Sequence, residues 1–219
     1  MDSRQIITYW ILCFVSIFAV INPFRATTWT AMATEGWSEE QRKRAVHRAL
    51  LVASAVLFCA AWIGNHVIIR SNIHLGGFRV ASGILLLTTV IRRMVLNRPF
   101  DLQQVKGISE DRALELGFAP LAFPLLSGIA AIATVILYTG EPTELWRRGT
   151  TLVALGLTLV LAWGMMRAAP RIHAFWGEQG SRIITHGLDL TIAAWAVDFT
   201  AVGVRDLLPL ILGTPPAGG

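Results

Sequence analysis

Two places in this 219-residue sequence put helix-breaking residues inside long apolar runs. The first is Asn22-Pro23; the second is Pro120 and Pro124 followed by Ser127-Gly128. Proline has no backbone N–H and clashes with the preceding turn, so each break frees carbonyl groups. In hydrocarbon such groups are tolerated only where protein or water satisfies them. Freed backbone groups at that depth can orient a polar solute. Interrupted helices in matching positions of two halves are the sequence pointer to such a site. Ordinary helix kinking is the competing explanation, because Pro and Gly are common in membrane helices.

Charges in the same apolar runs add to the chemistry. Arg25 follows the first break, and Asp189 and Asp198 lie in the last run. Intramembrane charges are costly and face the bundle interior, paired. Counted along their helices, Arg25 and Asp189 fall at similar depth, which predicts an Arg25–Asp189 pair with His186 one turn from Asp189. The competing expectation is that Arg25 snorkels to the headgroups. Asp198 is nine positions past Asp189, about 180° around the helix, and Arg79 is its expected partner by depth. An aspartate lining a path could also carry a coupling proton.

Other chemistries find little support. The five histidines (His47, His66, His74, His173 and His186) form no HExxH motif, so no metal is expected. Ser127-Gly128 with His186 resembles the pairing used by rhomboid-type intramembrane serine proteases. That motif needs a glycine where Leu125 stands. Ser127 is read instead as a small residue permitting close helix approach. Cys13 and Cys59 lie in separate apolar runs and read as small buried residues, not a disulfide or a metal pair. No residue set points to catalysis or an organic cofactor.

The elements that must position these residues follow from composition. Apolar residues make up 54% and charged residues 15%, against roughly 25% charged in an average soluble domain. Mean hydropathy is +0.56. That leaves too little polar surface for a water-soluble globule, and the class is an all-α membrane protein embedded in a lipid bilayer. Six apolar segments are read: Ile6–Met32, Val46–Ile69, Phe78–Val95, Leu116–Tyr138, Gly149–Met166 and Ile183–Val204. Ser38 with Gln41 predicts a capping box opening the second helix. Trp176-Gly177-Glu178-Gln179-Gly180 reads as a loop before the sixth. Trp62, Trp163 and Trp195, deep in their spans, read as packing residues.

Three spans per half make the halves antiparallel. The expected organisation is an N-terminal three-helix repeat over 1–98, a cytoplasmic linker over 99–115, a C-terminal three-helix repeat over 116–204 and a tail over 205–219, with helices 1 and 4 broken. The net charge of +5 reflects basic residues clustered in loops, not a nucleic-acid surface. Twelve Lys and Arg fall on one side of the six spans and six on the other, with Arg25 left out. The positive-inside bias then predicts both termini outside. A cleaved signal peptide ending near Ala31-Met32-Ala33 fits less well, because the apolar run is long and Arg25 precedes the cleavage point.

The chain resembles the MarC family of bacterial inner-membrane proteins, placed in the LysE-like exporter superfamily. The carriers of the resemblance are Asn22-Pro23 and the stretch Pro120-Leu121-Ala122-Phe123-Pro124-Leu125-Leu126-Ser127-Gly128. Phe78-Arg79-Val80-Ala81-Ser82-Gly83, Gly177-Glu178-Gln179-Gly180, Gly187 and Gly203 match further parts of the pattern. The chain departs from it after each break: Phe24-Arg25-Ala26-Thr27-Thr28 replaces a Gly- and Pro-bearing stretch, and Ile129-Ala130 replaces Pro-Gly. The resemblance implies two inverted three-helix halves in the bacterial inner membrane and export of a small polar solute, with amino acids as one class. A non-transporting membrane scaffold is the alternative, and self-association into a homo-oligomer is compatible with either. The expected solute pathway is Asn22, Pro23, Arg25, Pro120, Pro124, Ser127 and Gly128.

Overall fold

The computed structural model describes residues 3–95, 121–140 and 145–212, and every regular element among them is helical. Its elements are α1 (Ser3–Ile21), α2 (Pro23–Ala33), α3 (Glu39–Arg70), α4 (Leu75–Val95), a π-helical turn α5 (Leu121–Leu126), α6 (Ile129–Thr139), α7 (Leu145–Arg167) and α8 (Ala169–Ile211). The expected linker 99–115, Pro120 and the last residues of the tail lie outside the described residues.

Among the described residues, five helical stretches are long and apolar enough to cross a membrane: Arg4–Ala33, Glu39–Arg70, Leu75–Val95, Trp146–Arg167 and Gln179–Ile211. The segment read as the fourth span has instead the short apolar helix Ile129–Thr139. At 1.5 Å per residue this helix covers ~16 Å, about half a bilayer core. It is short because the Phe123 backbone is extended (φ −131°, ψ 126°) and the chain leaves the helix again at Gly128 (ψ 166°).

The capping box forms as the sequence predicts: Ser38 Oγ accepts from Gln41 N, and Gln41 Oε1 accepts from Ser38 N. The stretch read as a loop before the sixth span is helical on both sides of one kinked residue. Gly177 alone departs, with φ 63° and ψ −179°. A positive φ costs glycine little, so a single residue redirects α8 without a loop.

Small residues decide how the helices meet. α4 packs along α8, and a side chain at Gly203 would meet the Gly76 carbonyl at 2.6 Å and Val80 at 2.8 Å. One at Gly83 would collide with Thr200 Oγ1 and the Ala196 carbonyl. Small residues at such crossings let helix backbones approach closely, which replaces the hydrophobic drive that lipid cannot supply. The buried core draws on every helix, with Ile17, Leu57, Leu86, Leu126, Leu155 and Ile192 all fully covered.

Large apolar side chains point outward along the long helices, among them Leu51, Ile63 and Val67 of α3. Trp62 belongs to this outer surface at 76% exposed, so it is not the packing residue that its depth suggests. Cys59 is exposed on the same helix, whereas Cys13 is buried and lies 3.5 Å from Thr151 Oγ1. Depth along the chain does not fix which way a residue faces.

Candidate functional site

The first break is one residue wide. Asn22 adopts the left-handed conformation (φ 51°, ψ 72°), which Asn tolerates better than most residues because its short polar side chain bonds locally. Its N–H still closes α1 onto the Phe18 carbonyl at 2.9 Å, and its own carbonyl receives Ala26 N at 3.2 Å. Asn22 Oδ1 accepts from Arg25 N at 3.1 Å. Asn22 is thus the N-cap of α2, and Pro23 stands at N1, where its missing N–H costs nothing. Asn22 is 1% exposed, and its Nδ2 has no hydrogen-bond partner among the described residues.

Downstream, α2 carries a buried hydroxyl ladder. Thr27, Thr30 and Thr34 donate to the carbonyls of Pro23, Ala26 and Thr30. Thr28 reaches across to Ser181 of α8. There a shallow cleft lies between α2 and the α8 kink, with Phe24, Trp176 and His173 in its wall.

The second break is built differently. Ser127 N and Ser127 Oγ both donate to the Ala122 carbonyl, at 2.9 and 2.8 Å. The carbonyl that α5 would leave open is therefore satisfied from within, and the buried Ser127 is held as a structural plug. Gly128 then opens α6 without a side-chain cap, so the first N–H groups of that helix have no side-chain acceptor at the cap.

The two breaks share a level. α5 packs on α2 and α3, so α6 starts near α2. It ends beside the start of α1, where Tyr9 Oη donates to the Tyr138 carbonyl at 3.2 Å and Ser16 Oγ lies 2.7 Å from Tyr138 Oη. Hence α6 runs antiparallel to α1. Counting back nine residues from Tyr138 at 1.5 Å each brings Ile129 within about one helical turn of the level of Asn22. Two short helices, α2 and α6, thus start within about one helical turn of the same level along α1 and run in opposite directions. Of the expected pathway residues, Asn22, Pro23, Ser127 and Gly128 stand at these two starts, Pro124 lies within α5, and Pro120 is outside the described residues.

The charges pair otherwise than the sequence suggests. Asp189 is 1% exposed, and its partner is Arg93 Nη1 of α4 at 3.4 Å, not Arg25. Arg25 lies near enough to feel both Arg93 and Asp189, and His186 also acts on Asp189. Arg79 pairs with Asp206, not Asp198. The reason is rotation about α8. Asp198 is half a turn round from Asp189, whose face α4 covers, so it points away and is exposed. Arg93 and Asp206 were missed because both lie at span ends, where a charge attracts no notice. Their signal is the antiparallel register: 79 opposite 206, 83 opposite 200 and 93 opposite 189.

Among the described residues no group of three or more His, Cys, Asp or Glu could hold a metal ion.

Comparison with known proteins fixes the family. The model of the MarC family of integral membrane proteins matches residues 7–208. A UPF0056 membrane protein of Methanocaldococcus jannaschii is 27% identical over 200 residues, covering 91% of this chain and 98% of its own. The UPF0056 membrane protein YhcE of Escherichia coli is 26% identical, covering 91% and 93%. YvbG of Bacillus subtilis is 22% identical, covering 90% and 95%. No solved structure matches the chain. With long apolar helices along its length and a family match over nearly all of it, the chain is a multi-pass integral membrane protein and belongs to the MarC family.

Proposed function

We propose that this protein carries a small polar solute outward across the bacterial inner membrane, with both termini on the periplasmic side and no covalent chemistry. Amino acids are the first class to test. One observation supports the reading above the rest: α2 and α6 both begin at a break, within about one helical turn of the same level, and the cap of α2 keeps a buried amide nitrogen without a partner among the described residues. Leaving a buried donor unsatisfied costs about 1–3 kcal/mol, a cost that a bound solute would remove.

In this reading the two halves are inverted repeats, each opened by a broken helix, and the solute sits where the breaks meet. Asn22 and the α2 and α6 termini orient it, Ser127 holds the second break in shape, and rocking of one half against the other exposes the site to each side in turn.

Counterflow of radiolabelled amino acids in proteoliposomes tests this. Saturable exchange in wild-type protein that Asn22→Ala abolishes supports the reading. Absence of exchange for every amino acid and small polar solute, with folded protein, overturns it and favours a scaffold. Reporter fusions at both ends test the orientation, and cytoplasmic signals at either end would overturn it.

A further inference from the structure

The charges beside the α2 start do not balance. Arg25 and Arg93 are two guanidinium groups within electrostatic reach of a single carboxylate, Asp189. Asp189 engages Arg93, and among the described residues the Arg25 guanidinium makes no hydrogen bond or ion pair. His186 also acts on Asp189, and it adds no negative charge. An uncompensated cation at membrane depth is costly and calls for a counter-charge.

Three further features have the same sign. The positive end of the α2 dipole lies at Asn22, and Arg25, at N3, carries its side chain on a Cα–Cβ bond tilted toward that end. Asn22, only 1% exposed, places at the same helix mouth a donor, Nδ2, that has no partner among the described residues. The uncapped start of α6 comes to the same level and adds a second positive dipole end. The only anionic group among these residues, Asp189, is already held by Arg93.

We infer that the site at the α2 mouth binds an anion, a small carboxylate held by Arg25 and Asn22 Nδ2, so that the solute enters carboxylate first. The inference rests on the reading of the breaks as a solute site and names the chemical class that this site takes. Asp189 then sets the charge of the site: by neutralising Arg93 it leaves one net positive charge, enough for a monoanion.

Thermal unfolding of the purified full chain in nanodiscs tests this with acetate against acetamide, at constant ionic strength set by sodium chloride. Acetate should raise Tm saturably and acetamide should not. Arg25→Gln should abolish the acetate shift, Arg25→Lys should keep part of it, and Asp189→Asn should lower the acetate concentration at half-effect several-fold. Equal shifts from acetate and acetamide, or an acetate shift that survives Arg25→Gln, would overturn the inference. If Asp189→Asn does not fold, the Arg25→Gln and Arg25→Lys pair decides alone. Counterflow separates the two readings. Exchange confined to solutes that carry no carboxylate keeps a carrier but refutes the anion site. Acetate binding lost in Arg25→Gln, without flux of any solute, keeps the anion site and refutes the carrier.

Discussion

The Arg93 guanidinium stands 3.4 Å from the Asp189 carboxylate and ties α4 to α8 at a point where Asp189 is 1% exposed. Fourteen residues earlier on α4, ~21 Å along the axis, Arg79 pairs with Asp206 and ties the same two helices again. Between these ties the helices touch through glycine. Removing one partner of a buried pair leaves a bare charge, at a cost of about 3 kcal/mol. Arg93→Gln should therefore destabilise by that amount. Its coupling to Asp189→Asn should exceed the coupling of Arg25→Gln to Asp189→Asn. A double-mutant cycle of unfolding free energies in mixed micelles measures both, and strict additivity for Arg93 with Asp189 would refute the tie.

The glycine contact makes a separate prediction. Gly83→Val and Gly203→Val place a side chain where backbone of the neighbouring helix already stands. Each should cost about 1–3 kcal/mol by overpacking and push α4 away from α8. A methyl group on Gly156, within α7, would have nothing within 4 Å, so Gly156→Ala should gain up to about 1 kcal/mol through helix propensity alone. The same unfolding assay compares the three, and equal effects would show that close approach does not matter.

Asn22 has two duties that substitution can separate. Asn22→Ala loses the cap, worth about 1 kcal/mol, and also forces a residue with a Cβ into the left-handed region, at roughly 1 kcal/mol more. Asn22→Gly keeps the backbone and loses only a few tenths of a kcal/mol as a cap. Alanine should therefore destabilise more than glycine, while both remove Nδ2. If solute exchange falls equally in the two variants, the amide acts on the solute; if it follows stability, the residue only shapes the break.

Ser127 spends its proton on the Ala122 carbonyl. Ser127→Ala should cost about 1 kcal/mol, the net value of a typical hydrogen bond, and loosen the second break. A serine whose hydroxyl is held by backbone is not set up as a nucleophile, which needs a base in reach of that proton. Fluorophosphonate probes should leave the protein unlabelled, and labelling lost in Ser127→Ala would reverse this assignment.

Composition and hydropathy alone determine that the chain lives in a bilayer, because 15% charged residues cannot clothe a soluble globule of this length. The breaks are equally legible, since Pro23 cannot continue the α1 hydrogen-bond ladder wherever the helix lies. So is the capping box, whose two bonds span only three residues. Local chemistry acting over one turn needs no knowledge of neighbours.

What the sequence could not determine is rotation and pairing. Depth along a helix matched Arg25 to Asp189 and Arg79 to Asp198, yet depth leaves the angle about the helix axis free. Only the packing of α4 on α8 fixes that angle, and it turns Asp189 to Arg93 and Asp198 away. The same freedom made Trp62 read as a packing residue and Cys59 as a buried one, although both are exposed, and hid how the start of α6 comes level with Asn22. Such relationships depend on contacts between residues about a hundred positions apart, and tertiary structure alone supplies them.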